Sequence, residues 1–445
     1  MTVILSYILG FLVLIMVITA VHEAGHFYIA KLFKVKILDF SIGMGKSIKS
    51  WIGKDDTSYN IRLLPIGGYV KMLGEDILEE NNSSDNASFA SKKYYQKVLI
   101  LFAGPFANFL LAILIFTILN LFGTTALSSK VGYILPDSQA SLANFQEGDI
   151  IQKVDGKDAE SRADVQMLLS RRLGDTGIIN FSVNSKGINM EKIIPIQNWL
   201  INEEPKDLLA NLGIGVPISS EIGSVIENSP ASNAGLLPGD VIKLINSKKI
   251  SSWGQIKDEI TNSLGMPLEI SIARNGEEIL KSIIPRPSES GWIIGISSAN
   301  KISEDALFFK SYALHSAFIN AVKKTYSTIR DSFTFLYKML TGYVSPKNLG
   351  GPVMIGQFAG DTLLYGGIYS FLMLMSFVSI GLGVINLVPI PILDGGQICL
   401  LTLEKIKGSP LSPKTLDFVY RAGLSMVIFL MIFVFINDIS RLSGA

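Results

Sequence analysis

The chain has 445 residues, 48% hydrophobic and 17% charged, with a formal net charge of +1 and a single cysteine. A near-neutral balance with no basic stripe interleaved with aromatics excludes a dedicated nucleic-acid binder, and one cysteine excludes an intrachain disulfide. The length allows about two to four domains, and the apolar excess gathers in four long segments, the pattern of a four-span α-helical membrane protein with water-soluble insertions.

The first span, within residues 1–30, has no Asp, Glu, Lys, Arg or His from Met1 to Val21 and then reads His22-Glu23-Ala24-Gly25-His26. No basic residue precedes the apolar run and no small-residue cleavage site follows it, so it is expected to remain as a helix. Residues i and i+4 share a helix face, so His22 and His26 can reach one tetrahedral Zn²⁺ while Glu23 stands beside it as a base. A chance HExxH on an amphipathic helix is the bland alternative. It is disfavoured because an ionisable group inside a membrane helix costs about 2.5–3.5 kcal/mol on insertion scales and by default marks function. Two histidines still need a third protein ligand.

Residues 31–97 carry eleven Lys and Arg. The positive-inside rule therefore puts 31–97 and 397–420 in the cytosol, and residues 130–360 and both termini outside. Residues 59–73 read as strand, turn, strand with a Pro-Gly-Gly break, a hairpin beside span one. Its edge at Gly67, Gly68, Tyr69 and Val70 can pair with an unwound substrate strand, or the hairpin is an ordinary cytosolic one. From Leu78 to Ser91 the chain is rich in Asn, Ser and Asp and reads as a flexible loop. Span two, 98–127, contains Gly104-Pro105, which marks a bend or close approach, and Asn108.

Outside the membrane the chain repeats itself. Residues 131–168 align without gaps onto 222–259: Ser138 falls on Ser229, Ala140-Ser141 on Ala231-Ser232, and Gly148-Asp149-Ile150-Ile151 on Gly239-Asp240-Val241-Ile242. Two copies of one small domain are expected, at 128–212 and 213–300, each with short strands and a helix near 162–172 or 253–264. The Ser-x-Ala…Gly-Asp-x-Ile pattern resembles PDZ domains in the circularly permuted arrangement. The second copy matches better, because the first has Ala143-Asn144 and Glu147 at places where the second has Ala234-Gly235 and Pro238. Such domains either screen substrate by strand addition or block the entrance by bulk. Residues 301–364 follow, with an amphipathic helix expected over 303–340 and His315 as a solvated surface residue.

Span three, 365–396, contains Asn386-Leu387-Val388-Pro389-Ile390-Pro391-Ile392-Leu393-Asp394-Gly395. Pro389 and Pro391 break the helix, which is tolerated at membrane depth only where the backbone is buried in protein or lines a cavity. Asp394 after the break is either a helix N-cap or a zinc ligand. Spans one and three run in the same direction, so His22, His26 and Asp394 fall at one depth, and the need for a third ligand favours the metal. The Asn386 amide can bond a substrate backbone or developing oxyanion, or a neighbouring helix. A cytosolic connection at 397–420, holding Cys399, leads to span four at 421–439.

With His-Glu-Ala-Gly-His at 22–26 and Asn-x-x-Pro-x-Pro-x-Leu-Asp-Gly at 386–395, in that order on the first and third spans, the chain resembles the site-2 protease family of intramembrane zinc metalloproteases. The likeness is to the bacterial branch with two PDZ domains, the regulator of sigma-E protease type, and covers nearly the whole chain. Gly104-Pro105 with Asn108 and Gly350-Gly351-Pro352 follow the family as well. The resemblance implies that His22, His26 and Asp394 bind zinc, that Glu23 is the catalytic base, and that Asn386, Pro389, Pro391, Gly67, Gly68, Tyr69 and Val70 contact substrate. It implies an inner-membrane protein with four spans, a cytosolic membrane-associated β-hairpin and two periplasmic PDZ domains, in contact with lipid. Its substrate would be a single-span membrane protein, an anti-sigma factor of an envelope-stress response or a remnant signal peptide, cut after its outer part has been trimmed. Two rivals are a non-enzymatic PDZ membrane adaptor with a vestigial metal site, which retention of Glu23 and Asp394 disfavours, and a zinc transporter, which would spread its ligands through both leaflets.

Overall fold

The computed structural model describes residues 2–75, 86–201, 203, 207–250, 252–288 and 291–443. Part of the expected flexible loop, 78–85, lies outside the described residues. In chain order the elements are α1 (Thr2–Leu32), β1 (Ile37–Ile52), β2 (Ser58–Met72), α2 (Tyr94–Phe122) and β3 (Thr124–Leu127). A first group follows, with α3 (Gln139–Leu142), β4 (Ile150–Val154), β5 (Lys157–Asp158), α4 (Arg162–Ser170), β6 (Gly177–Ser185), β7 (Ile188–Ile196) and α5 (Leu208–Asn211). The second comprises β8 (Ile222–Val225), α6 (Pro230–Asn233), β9 (Val241–Ile245), β10 (Lys248–Lys249), α7 (Trp253–Asn262), β11 (Leu268–Arg274) and β12 (Glu277–Ile283). Short strands β13 (Arg286–Ser288), β14 (Gly291–Ile293), β15 (Ile296–Ser298) and β16 (Leu307–Lys310) lead to α8 (Leu314–Leu340), α9 (Pro352–Asp361), α10 (Gly367–Asn386), α11 (Asp394–Lys407) and α12 (Pro413–Ser443). These form two compact units: Met1–Thr124 with Ser311–Met339 and Pro346–Ala445, and Thr125–Lys310 with Leu340–Ser345.

In the first unit, four helical stretches are long and apolar enough to cross a membrane: Val3–Leu32, Tyr94–Phe122, Pro346–Asn386 and Pro413–Arg441. Their shared core includes Leu14 and Ile18 of α1, Phe109, Ala112 and Phe116 of α2, and Met375, Ile380 and Val384 of α10. Small residues set the crossings, as is usual where lipid offers no hydrophobic drive between helices. A β-carbon on Gly25 would stand 2.8 Å from the Ala103 carbonyl carbon and 2.9 Å from the Ala107 β-carbon, so α1 and α2 meet backbone to backbone. The third apolar segment departs from a single helix. After α9 come a π-helical turn at Thr362–Gly366, α10, and an irregular stretch over 387–393 where Pro389 and Pro391 stand. The last span is longer than its apolar run: α12 extends over 31 residues. Near its end the Asp438 carboxylate accepts from the backbone N–H groups of Gly351 (2.9 Å), Val353 (2.9 Å) and Met354 (3.1 Å), capping α9 from a neighbouring helix.

Residues 59–73 do not form a hairpin of their own. The expected strand-turn-strand lies within β2 up to Met72 and leans on β1, a strand the sequence does not announce. Residues 39–42 of β1 pair on one side with 58–61 and on the other with 68–71, and β1 continues past Met44 to pair again with β2 through Ser58. Gly43 and Gly45, both at positive φ (86° and 83°), let β1 bend enough to be used twice.

The second unit contains a repeat. The starts of β4 and β9, of β5 and β10, of α4 and α7, and of β6 and β11 each differ by the 91-residue offset. The two sheets have the same order, β5-β4-β6-β7 and β10-β9-β11-β12. The Gly-Asp turn has the same job in each. Gly148 and Gly239 adopt φ of 88° and 92°, and the following carboxylate accepts from the N–H three residues earlier, Asp149 from Gln146 at 3.0 Å and Asp240 from Leu237 at 2.8 Å. Both aspartates are buried, and each has a cation on its own sheet, Lys192 for Asp149 and Arg274 for Asp240. The second copy closes over Ile242, Ile245, Ile256, Ile260, Ile270 and Ile272. The amphipathic helix expected from 303 begins only at Leu314, since 304–306 form a 3₁₀ turn and 307–310 a strand pairing with β3. His315 is exposed.

Candidate metal centre

His22 and His26 stand one turn apart near the C-terminal end of α1, both buried at 7% exposure. Their Nε2 atoms face each other at 3.2 Å. Asp394, the first residue of α11, brings its carboxylate to the same point, with Oδ2 3.3 Å from His22 Nε2 and Oδ1 3.6 Å from His26 Nε2. The N-cap of α11 is Leu393, and no side chain caps that helix, so the alternative reading of Asp394 as an N-cap does not describe it.

The chain reaches this point through a fold-back that only glycine permits. A β-carbon on Gly395 would lie 2.8 Å from Leu387 Cα, and one on Gly396 2.6 Å from Pro391 Cα, so 387–391 packs directly on the start of α11. Pro391 in turn rests on α12 at Gly423, whose β-carbon would meet it at 3.1 Å. Pro389 is exposed on the same turn. Asn386 ends α10, half-buried, and among the described residues its side chain makes no hydrogen bond, so the helix-to-helix bond left open above is not formed.

Three ligand atoms from His22, His26 and Asp394 lie within 4.8 Å of one another. Around a tetrahedral Zn²⁺ with bonds near 2.0–2.1 Å, ligand atoms stand about 3.3 Å apart. The 3.2 Å between the two Nε2 atoms matches that spacing, and the carboxylate approaches one imidazole through Oδ2 at 3.3 Å and the other through Oδ1 at 3.6 Å, so either oxygen is in reach of an ion held there. Asp394 Oδ2 is buried without a hydrogen bond despite its nearness to His22, an arrangement suited to an ion between the groups rather than a proton. The outer ring nitrogens are engaged from α2, His26 Nδ1 at 2.8 Å from the Ile100 carbonyl oxygen and His22 Nδ1 at 3.2 Å from Asn108 Nδ2. Gly104, between those two α2 residues, leaves room for both rings: a β-carbon there would stand 2.8 Å from His22 Nε2 and 2.6 Å from His26 Cε1.

Glu23 faces β2. The Val70 backbone N–H lies beside its carboxylate, and a β-carbon on Gly68 would lie 3.0 Å from Glu23 Cγ and 2.7 Å from the Ser41 carbonyl oxygen. Thr19 Oγ1 donates to the Gly67 carbonyl at 3.4 Å. Tyr69 turns the other way, its hydroxyl donating to Asp39 at 2.9 Å, while Arg62 reaches the same carboxylate at 3.2 Å. Of the residues singled out from sequence, His22, Glu23, His26, Asp394, Gly68 and Val70 thus meet at one place, whereas among the described residues the Asn386 side chain makes no hydrogen bond to that cluster and the Tyr69 hydroxyl is engaged by Asp39 and Arg62. The sequence reads Gly104 as a bend or close approach, and the close approach is to these two rings, but it assigns no catalytic role to Gly104 or Asn108 and none to Ile100; their spacing of four along one helix is the signal that could have placed them together.

A model of Peptidase family M50 matches residues 10–430 of the chain. A Yersinia pestis protein named "Protease RseP" is 33% identical over 446 residues, covering 97% of this chain and 98% of its own. A Vibrio cholerae protein named "Putative zinc metalloprotease" is 33% identical over 454 residues, covering 99% of this chain and 100% of its own. A solved PDZ domain of an SdrC-like protein from Listeria monocytogenes aligns at 23% identity over 18% of this chain and 85% of its own, with a TM-score of 0.17, a likeness too slight to fix the fold of either copy. With a family match along almost the whole sequence and relatives one-third identical from end to end, the chain belongs to peptidase family M50, the site-2 proteases.

Proposed function

We propose that His22, His26 and Asp394 hold one Zn²⁺ and that Glu23 is the general base of an intramembrane endopeptidase acting on single-span membrane proteins. The observation that carries this is the convergence of two imidazole nitrogens and a carboxylate at 3.2–3.6 Å, next to a glutamate, on helices apolar enough to cross a membrane. Zinc in such a site lowers the pKa of bound water to about 7 and polarises the carbonyl under attack. Glu23, beside the Val70 N–H, takes the water proton and delivers it to the departing amine. A helical substrate must unwind first, because its own hydrogen bonds shield the scissile carbonyl. The extended backbone at Gly67–Val70, with Gly68 against Glu23, offers partners for such an unwound strand. Asn386, with an unpaired amide, and the Pro389–Pro391 turn are the other candidates for holding it.

The outer copies are read as PDZ domains that screen substrates, supported by the 91-residue repeat and matched sheet orders. Charge asymmetry supports an inner-membrane orientation with the termini and both copies in the periplasm and the metal centre towards the cytosol. The name "Regulator of sigma E protease" carried by a Haemophilus influenzae relative supports a membrane-protein substrate in sigma-E signalling, and an anti-sigma factor is the substrate proposed, with remnant signal peptides as a second class. The test is cleavage of a single-span substrate, already shortened on its outer side, by purified protein with and without a zinc chelator. Cleavage lost on chelation and restored by zinc is expected; cleavage indifferent to chelation would overturn the proposal.

A further inference from the structure

One face of α2 backs both histidines. Ile100, Gly104 and Asn108 recur every four residues and so line a single side of the helix. A carbonyl can only accept, so the Ile100 oxygen 2.8 Å from His26 Nδ1 requires the proton on that nitrogen and leaves the Nε2 lone pair facing Asp394. Nothing so one-sided faces His22. Its Nδ1 meets the carboxamide of Asn108, which is fully buried and held from behind, its backbone carbonyl accepting from Ser379 Oγ of α10 at 2.9 Å.

Asn108 Nδ2 lies 3.2 Å from His22 Nδ1, and its Oδ1 is buried with no hydrogen-bond partner among the described residues. Donation from Nδ2 suits a His22 ring protonated at Nε2. A ring that coordinates through Nε2 carries its proton on Nδ1 and needs an acceptor there. The two ends of a carboxamide occupy nearly the same volume, so a half-turn about χ2 brings the unpartnered Oδ1 onto Nδ1 without displacing any neighbour. We propose that Asn108 is the positioning residue of His22: its Oδ1 accepts from Nδ1–H and holds the imidazole with Nε2 on the zinc ion. The proposal rests on the reading of His22, His26 and Asp394 as ligands.

The test is zinc affinity of the full-length, detergent-purified protein, measured by competition with a chromophoric chelator. Asn108→Leu removes the acceptor at similar volume and is expected to weaken zinc binding about 10–100-fold; Asn108→Ala is the smaller replacement should leucine not be accommodated. Asn108→Asp keeps an acceptor at both ends and is expected to retain wild-type affinity, a rescue that a packing role would not produce. His22→Ala and Asp394→Asn are measured in the same titration and are expected to lose tight binding. If those two lose zinc while Asn108→Leu and Asn108→Ala keep wild-type affinity, the positioning role is overturned and the ligand set stands. Equal loss in Asn108→Leu and Asn108→Asp also overturns it. Wild-type affinity in His22→Ala and Asp394→Asn overturns the ligand set, and the Asn108 proposal with it.

Discussion

Replacing Gly104 by alanine adds one methyl group at the most crowded point of the metal centre. That carbon would stand 2.8 Å from His22 Nε2, 2.6 Å from His26 Cε1 and closer still to His26 Nε2, where ordinary contact begins at 3.4 Å. The imidazoles must therefore retreat by about 0.8 Å or more, whereas a metal site tolerates only about ±0.2 Å in its bond lengths. Neither ring has an easy escape. His26 is tied to Ile100 at 2.8 Å, and moving α1 off α2 would open the backbone contact between Gly25 and Ala103. Overpacking costs roughly 1–3 kcal/mol in a well-packed core, and if that cost falls on the liganded arrangement alone, zinc affinity drops by about 5–150-fold. The assay is zinc retained by purified Gly104→Ala after dialysis against a graded chelator series, beside its thermal melting curve. A variant that is folded and depleted of zinc at chelator levels the wild type withstands is expected. A folded Gly104→Ala with wild-type zinc affinity would refute the claim that the two rings are held against α2 for coordination.

Glu23→Gln keeps the size and loses the base, so it should bind zinc normally and cleave about 10²–10⁴-fold more slowly; near-normal cleavage would remove Glu23 from that role. Gly68→Val thrusts a branched side chain at Glu23 Cγ and the Ser41 carbonyl, so cleavage should fall while zinc content stays unchanged, and zinc loss would place the damage elsewhere. In the second copy of the repeat, burial pushes the Asp240 carboxyl up, but the Arg274 guanidinium and the Leu237 N–H outweigh it and hold it below the usual carboxylate range. A depressed folded-state pKa contributes stability that is present above the unfolded value, about 3.9, and lost as pH falls through the folded one. Melting followed through Trp253 and Trp292 should therefore weaken at acidic pH in the wild type and depend less on pH in Asp240→Asn; identical pH profiles would contradict this. Excising residues 130–300 should let an untrimmed substrate be cut, and a substrate that stays intact with that variant would end the screening proposal.

The metal-ligand candidates were legible because their spacing is a geometric statement in itself. His22 and His26 lie on one helix, and the two prolines before Asp394 announce the break that carries it inward. The internal repeat was legible for a similar reason, since a gap-free offset of 91 transfers register from one copy to the other. What stayed hidden depends on contacts between distant segments. β1 has no clean alternation to read, with Gly43 and Gly45 bending it and residues 39–42 pairing on both edges, so 59–73 looked like a hairpin complete in itself. Asp438 caps α9 from 87 residues away, and Asn108 meets His22 from 86 residues away, so neither has a local signature. The start of α8 was placed too early because Leu307–Lys310 alternates in and out like a strand yet is aromatic enough to extend a helical stripe.

The central claim is that one zinc ion sits among His22, His26 and Asp394. The most direct measurement is the zinc K-edge absorption spectrum of the purified full-length protein, recorded for wild type and Asp394→Asn. The account predicts one zinc per chain in the wild type, with nitrogen and oxygen ligands at about 2.0–2.1 Å and two imidazole signatures, and loss of that ion in Asp394→Asn. A sulfur shell near 2.3 Å, which would bring in Cys399, or a wild-type spectrum unchanged in Asp394→Asn, would contradict it.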